Sequence, residues 1–170
     1  MNHMAFYDIL YEHVNYFTLD VLTQAFSSPI EPGRFFGGQY LFVVADLSSY
    51  RRPMHYAGRL YEEIDMDGYV KSLMNKRSGG TKKTYLWGAG AKGVTLANIF
   101  SRKAVSIEAL IDINPAKQDK FSAGAGLPIV DPHTVIPRLE GADVFVMNPI
   151  YLGEIQAAVR DVNVNLIAVA

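Results

Sequence analysis

In the second half of the chain, apolar positions gather into short unbroken runs, separated by stretches with helical spacing. The runs at 84–87, 107–111, 127–130, 142–147 and 165–169 predict five strands, and the segments 91–100, 132–139 and 150–160 predict helices. Strands that are apolar throughout are covered on both faces, which argues for a parallel sheet between helical layers. Right-handed crossovers then favour the strand order 3-2-1-4-5.

Upstream the pattern is different. Leu19, Leu22 and Phe26 keep helical spacing, Pro29 and Pro32-Gly33 break it, and 39–45 reads as a buried strand. A small α+β piece of this kind cannot bury enough surface to fold alone, so it is expected to pack on the rest of the chain, on a second copy or on another partner. Between 54 and 76, Tyr56, Leu60, Ile64, Tyr69, Leu73 and Met74 recur at helical spacing, while Gly58 and Gly68 weaken the pattern. A connecting helix broken near Gly68 is expected there. The stretch 76–83 is polar and basic with two adjacent glycines, the composition of a linker. The expected organisation is an N-terminal appendage at 1–50, a connecting helix and linker at 51–80, and an α/β domain at 81–170.

Composition narrows the function classes. A chain of 170 residues buries roughly 70% of its unfolded surface, enough for one full domain and an appendage. The net charge of -1 lacks the basic excess that nucleic-acid binding needs, so no nucleic-acid partner is expected. The sequence has no cysteine, which removes disulfides, thiolate metal sites and cysteine nucleophiles. No apolar run approaches a bilayer span, and the first residues lack a basic region followed by an apolar one, so the expectation is a cytoplasmic chain without membrane contact.

The strongest chemical signal is Trp87-Gly88-Ala-Gly90-Ala-Lys92-Gly93, which follows a predicted strand and opens a predicted helix. In that context Gly88 makes a tight turn, Gly90 admits a pyrophosphate close to the backbone, and Gly93 lets helix and strand pack closely. The helix N-terminus offers unpaired N–H donors to an anion, and Lys92 can add a phosphate contact. Lys92 is not a Walker lysine, because it precedes the third glycine. These features predict a Rossmann-like, doubly wound sheet with a nucleotide at Gly88, Gly90, Lys92 and Gly93. Asp112, at the end of the next strand, can take ribose hydroxyls; with Asn114 behind it, it can equally form an Asx turn. The long loop 113–126 is either a ligand cover or a disordered insertion. Asn148 and Tyr151, where the fourth strand exits, read either as a capped helix start with an exposed aromatic or as ligand contacts.

Near the N-terminus, Glu12-His13 lies among aromatic residues. The pair reads either as a general base with its electrostatic partner or as a polar turn flanked by core aromatics. Asp65-Met-Asp67-Gly68 is only a fragment of a calcium loop, and His3, His55 and His133 lack metal-ligand spacing, so no metal is expected.

Taken together, 85–98, 111–117 and 126–130 resemble the C-terminal domain of S-adenosylmethionine-dependent sugar C-methyltransferases, and the likeness extends over 83–170. Glu12-His13-Val-Asn-Tyr-Phe-Thr18, followed by Gly37-Gly38 before a strand, is similar to the end of that family's methyltransferase domain. The resemblance implies a domain that helps to hold a keto-deoxysugar on a nucleoside diphosphate, with S-adenosylmethionine as the full-length family's methyl donor. It also implies that residues 1–50 are a remnant of the methyltransferase domain. Glu12 and His13 would then be the pair that serves deprotonation, with His13 the base for the proton alpha to the keto group. Leu10 stands where the family usually has a tyrosine, with Tyr11 directly adjoining Glu12.

No earlier glycine turn for S-adenosylmethionine occurs in the sequence, so the chain is expected to carry no cofactor of its own and to be inactive alone, as a truncated relative or a fragment. A homodimer or a separate methyltransferase chain is the expected partner. Two readings compete. One is an NAD(P)-dependent oxidoreductase using the same turn, although no Tyr-x-x-x-Lys proton donor follows it. The other is an assembly domain that keeps the fold without a ligand.

Overall fold

The computed structural model describes residues 17–36, 38, 40–51, 65–79 and 82–169. They fall into two compact units, one within 11–63 and one within 64–170. No helix among the described residues is long and apolar enough to cross a membrane.

In the smaller unit, Thr18 caps α1 (Leu19–Gln24) by accepting a hydrogen bond from the Val21 N–H at 3.3 Å. Phe26, expected to continue the helical face, leaves the helix and bridges Tyr50, with the two rings edge to face at 5.9 Å. Strands β1 (Pro29–Phe35) and β2 (Tyr40–Ala45) form an antiparallel ribbon, from Pro29 opposite Ala45 to Phe35 opposite Tyr40. Pro29 and Pro32, expected as breaks, therefore lie within a strand. A two-stranded ribbon leaves one edge of each strand without a ladder, so a missing N–H is tolerated there, and the register shifts between Pro29 and Glu31. Nor is β2 a buried strand, since Tyr40 and Val44 are exposed. A single ribbon has no second layer to cover both faces.

In the larger unit, five parallel strands lie in the order β5-β4-β3-β6-β7: β3 (Thr84–Trp87), β4 (Ala109–Ile111), β5 (Ile129–Val130), β6 (Asp143–Val146) and β7 (Asn165–Ala168). Helices α2 (Met66–Met74) and α3 (Ala91–Arg102) precede and follow β3, α4 (Pro132–Val135) runs into a 3-10 turn at Ile136–Arg138, and α5 (Leu152–Ala158) follows a 3-10 turn at Pro149–Tyr151. This bears out the expected α/β class.

Alternation along each strand sends side chains to opposite faces. Leu86, Leu110, Phe145 and Ile167 join Tyr69, Val70 and Leu73 of α2 and Leu96, Ala97 and Phe100 of α3. Tyr85, Trp87, Ile111, Val144 and Val146 join Val135, Leu139, Ile155 and Val159 on the other face. Phe100 and Phe145, both fully buried, meet edge to face at 5.3 Å, a geometry worth about 0.5–1.5 kcal/mol beyond area burial. The segment expected as a connecting helix thus supplies, from 66 to 74, part of the core. Gly68 lies in its first turn and donates its N–H to the Asp65 carboxylate at 2.8 Å, and a side chain at Gly68 would overlap that carboxylate. Asp65 is a helix cap.

The polar stretch after α2 is anchored by a carboxylate that the sequence pattern does not single out. Asp143, first residue of β6 and fully buried, accepts from the Ser78 N–H (3.1 Å), the Ser78 hydroxyl (2.7 Å), Arg77 Nε (3.2 Å) and Asn165 Nδ2 (2.7 Å). Asn165 also donates to the Lys76 carbonyl at 3.2 Å. Residues 76–78 are thereby fixed to β6 and β7. Burial pushes the Asp143 carboxyl up, but the four donors outweigh it and hold the group below the ordinary aspartate value. Asp143→Ala removes the shared acceptor of these partly exposed donors and frees residues 76–78 from β6, and is expected to cost about 1–3 kcal/mol, read from the shift in urea midpoint.

Candidate functional site

The glycine turn joins β3 to α3 at the carboxyl edge of the sheet. Gly88 adopts φ 115°, where a side chain is strained, and its N–H donates to the Ile111 carbonyl of β4 at 2.7 Å. A Cβ at Gly93 would overlap the Gly88 carbonyl oxygen, so the first turn of α3 rests directly on the backbone leaving β3. Gly90 differs from both. It is the N-cap of α3 with φ -81°, which any residue adopts, it is exposed, and a Cβ there meets nothing within 4 Å. No side chain caps α3 at Gly90 and no acidic residue occupies the first turn. The N-terminal N–H groups of a helix have no intrahelical acceptors, and partly buried Lys92 adds a cation to that turn.

Asp112 follows β4 and is 8% exposed. Its Oδ2 accepts from the Ala89 N–H at 2.8 Å and from Lys117 Nζ at 3.1 Å, and its Oδ1 accepts from the Asn114 N–H at 2.9 Å. The Asx turn left open by the sequence is therefore formed. Asn114 repeats it, accepting from the Ala116 N–H at 2.9 Å, and Gln118 Nε2 donates to the Asp112 carbonyl at 2.9 Å. Sequence reasoning missed the bond to Ala89 and the ion pair with Lys117. Lys117 stands five positions after Asp112 in an Asx-rich loop, a hint for the pair, whereas nothing local foretells a bond spanning β3 to β4. Burial pushes the Asp112 carboxyl up, but the N–H groups of Asn114 and Ala89 and the Lys117 ammonium together hold it below the ordinary value.

The end of the loop 113–126 pairs with the residues that lead into β5. Phe121 bridges Pro128, Ile129 N–H donates to the Lys120 carbonyl at 2.8 Å, and Ser122 N–H donates to the Leu127 carbonyl at 2.8 Å. Asn98 of α3 accepts from the Ala125 N–H at 2.7 Å, holding the loop against the helix behind the glycine turn. Ile113 on this loop, and Ile150 and Tyr151 after β6, are exposed at the carboxyl side of the sheet, and Phe121, beside Pro128 before β5, is exposed as well. Asn148 caps the 3-10 turn at Pro149–Tyr151 by accepting from the Ile150 N–H at 3.3 Å. Gly88, Ala89, Gly90, Lys92, Gly93, Asp112 and Asn114 thus belong to one edge of one sheet. Glu12 and His13 lie outside the described residues.

Two outcomes follow from this geometry. Gly93→Ala is expected to lose about 1–3 kcal/mol by forcing α3 off β3, while Gly90→Ala stays within about 0.5 kcal/mol of the parent; urea unfolding of the two variants separates them. Asp112 and Asp143 both have carboxyls held below the ordinary value, so each adds stability that is fully present above the unfolded-state aspartate value. That stability is lost as pH falls through the lower folded value. The urea midpoint should hold steady from pH 7 to 5 and fall once pH drops below about 4.

No curated protein matches the chain. Among solved structures, a Rex-family repressor is similar at 17% identity and a TM-score of 0.40, over 61% of this chain and 58% of that one, less than two thirds of its length. The family model of the C-methyltransferase C-terminal domain matches residues 62–163, more than half of the chain and the whole of the glycine turn and its supporting strands. The chain belongs to the C-methyltransferase C-terminal domain family.

Proposed function

We propose that the larger unit is a Rossmann-like module that holds a nucleoside-diphosphate sugar, with its pyrophosphate on the glycine turn. The observation that carries this reading is Gly90. Gly88 and Gly93 are glycines that the fold itself requires, one for its positive φ and one for the close helix contact. Gly90 has an ordinary φ and open space beyond it, so neither backbone strain nor a close contact requires a glycine there. A backbone kept bare on its outer side, at the N-terminal N–H groups of a helix and beside Lys92, suits the close approach of an anion. Oriented amides supply most of the interaction, since the helix dipole adds only about 0.3–1 kcal/mol per charge.

In this reading the module binds and orients the sugar nucleotide. Deprotonation next to the sugar's keto group falls to Glu12 and His13, and the methyl donor S-adenosylmethionine is held outside the glycine turn of 88–93, by a separate methyltransferase chain. The chain alone transfers no methyl group.

Calorimetry and thermal shift with a thymidine-diphosphate sugar, NAD, NADP and S-adenosylmethionine test the assignment. The sugar nucleotide is expected to bind and, at 100 times its dissociation constant, to stabilise the chain by about 2.7 kcal/mol. Gly90→Val should abolish that shift while costing the ligand-free chain no more than about 1 kcal/mol, the loss of a favoured helix cap. Binding of NAD instead would make the turn an oxidoreductase's, and binding of none would leave an assembly domain.

A further inference from the structure

The carboxylate at the end of β4 stands where an acid commonly reads the ribose hydroxyls of a nucleotide held on a glycine turn. In this chain the carboxylate is already engaged. A carboxylate offers about four acceptor positions, and Asp112 has given one each to the Ala89 N–H, the Asn114 N–H and Lys117 Nζ. Its residue is 8% exposed, and the Lys117 ammonium neutralises its charge from the side of the loop. One acceptor position is left, on an oxygen of a side chain only 10% exposed, so a ribose hydroxyl would reach Asp112 only by disturbing the bonds that hold it, and the Ala89 N–H lies inside the very turn on which the pyrophosphate is placed. Ribose reading and turn positioning therefore compete for one side chain, and the positioning bonds are the ones formed.

We propose that Asp112 is a positioning residue that sets the glycine turn through the Ala89 N–H, and that the site takes a ribonucleoside diphosphate and its 2′-deoxy counterpart alike. The proposal rests on the reading that the turn binds a nucleoside diphosphate. Lys117 and Asn114 complete the arrangement. Lys117 keeps a negative charge beside the anion site from standing uncompensated, and the Asn114 N–H fixes the carboxylate's rotamer. A carboxylate that accepted the 2′-hydroxyl would instead reject the deoxy ligand, because the missing hydroxyl would leave it without its partner.

The test is calorimetric titration of the full chain and of Asp112→Asn with uridine diphosphate, 2′-deoxyuridine diphosphate and inorganic pyrophosphate. The amide exchange of Ala89 is followed without ligand. In the parent chain the two nucleotides should bind within about threefold of each other, since no hydrogen bond to the 2′-hydroxyl distinguishes them. Asp112→Asn turns one acceptor oxygen into a donor, so it cannot serve both the Ala89 and the Asn114 N–H. All three ligands, including pyrophosphate with no ribose at all, should weaken by a common factor of about ten or more, and the Ala89 amide should lose its protection. A deoxy ligand bound about tenfold more weakly than the ribose ligand by the parent chain, with the difference erased in the variant, would overturn the proposal and leave the nucleotide reading standing. Binding of none of the three by the parent would overturn both. Should Asp112→Asn fail to fold, the ribose-to-deoxy ratio and the Ala89 protection of the parent chain still decide the matter.

Discussion

The larger unit depends on one close approach, the first turn of α3 resting on the carbonyl of Gly88 through Gly93. Because nothing but a hydrogen at Gly93 fits there, the helix starts directly above the end of β3 and its N-terminal N–H groups open at the carboxyl edge of the sheet. Gly88 can leave the strand at that angle because its φ is positive. Its N–H bond to Ile111 then ties the turn to β4. The burial of Leu96, Ala97 and Phe100 against Leu86, Leu110 and Phe145 follows from the same placement.

Two buried aspartates brace the two ends of this sheet. Asp112, at the carboxyl end of β4, faces the glycine turn, and Asp143, at the amino end of β6, holds the segment that enters the domain after α2. A carboxylate in the interior is tolerated only when its lone pairs are met by donors, and both are met by backbone N–H groups together with a cation. Each therefore fixes backbone from a distant part of the chain with directional bonds, which apolar packing cannot provide. The cost is dependence on ionisation.

The smaller unit is of another kind. Its ribbon is stabilised by a ladder and by a run of aromatic contacts among Phe35, Phe36, Tyr40 and Phe42, and several of these rings remain exposed. A two-stranded ribbon cannot bury both faces of its side chains, which is why the apolar run at 39–45 misleads as to burial while correctly marking a strand.

The sequence by itself determined the α/β class, the existence of the five strands and the family. Unbroken apolar runs can be satisfied only by burial on both faces, and a glycine at every place where backbone meets backbone cannot be hidden. It also separated the turn's three glycines in principle, but which of them the fold requires was decided by the folded backbone, since the positive φ of Gly88 and the Gly88 carbonyl against Gly93 distinguish those two from Gly90. The same holds for Asp112, where local spacing left an Asx turn and a ribose contact both open. It holds again for Asp143, an acid inside an apolar run that no periodicity marks. Hydrogen-bond partners 23 and 65 residues apart in the chain are chosen by how strands and helices stack, and a pattern read along the chain carries apolar periodicity but not the direction in which a buried carboxylate finds its donors.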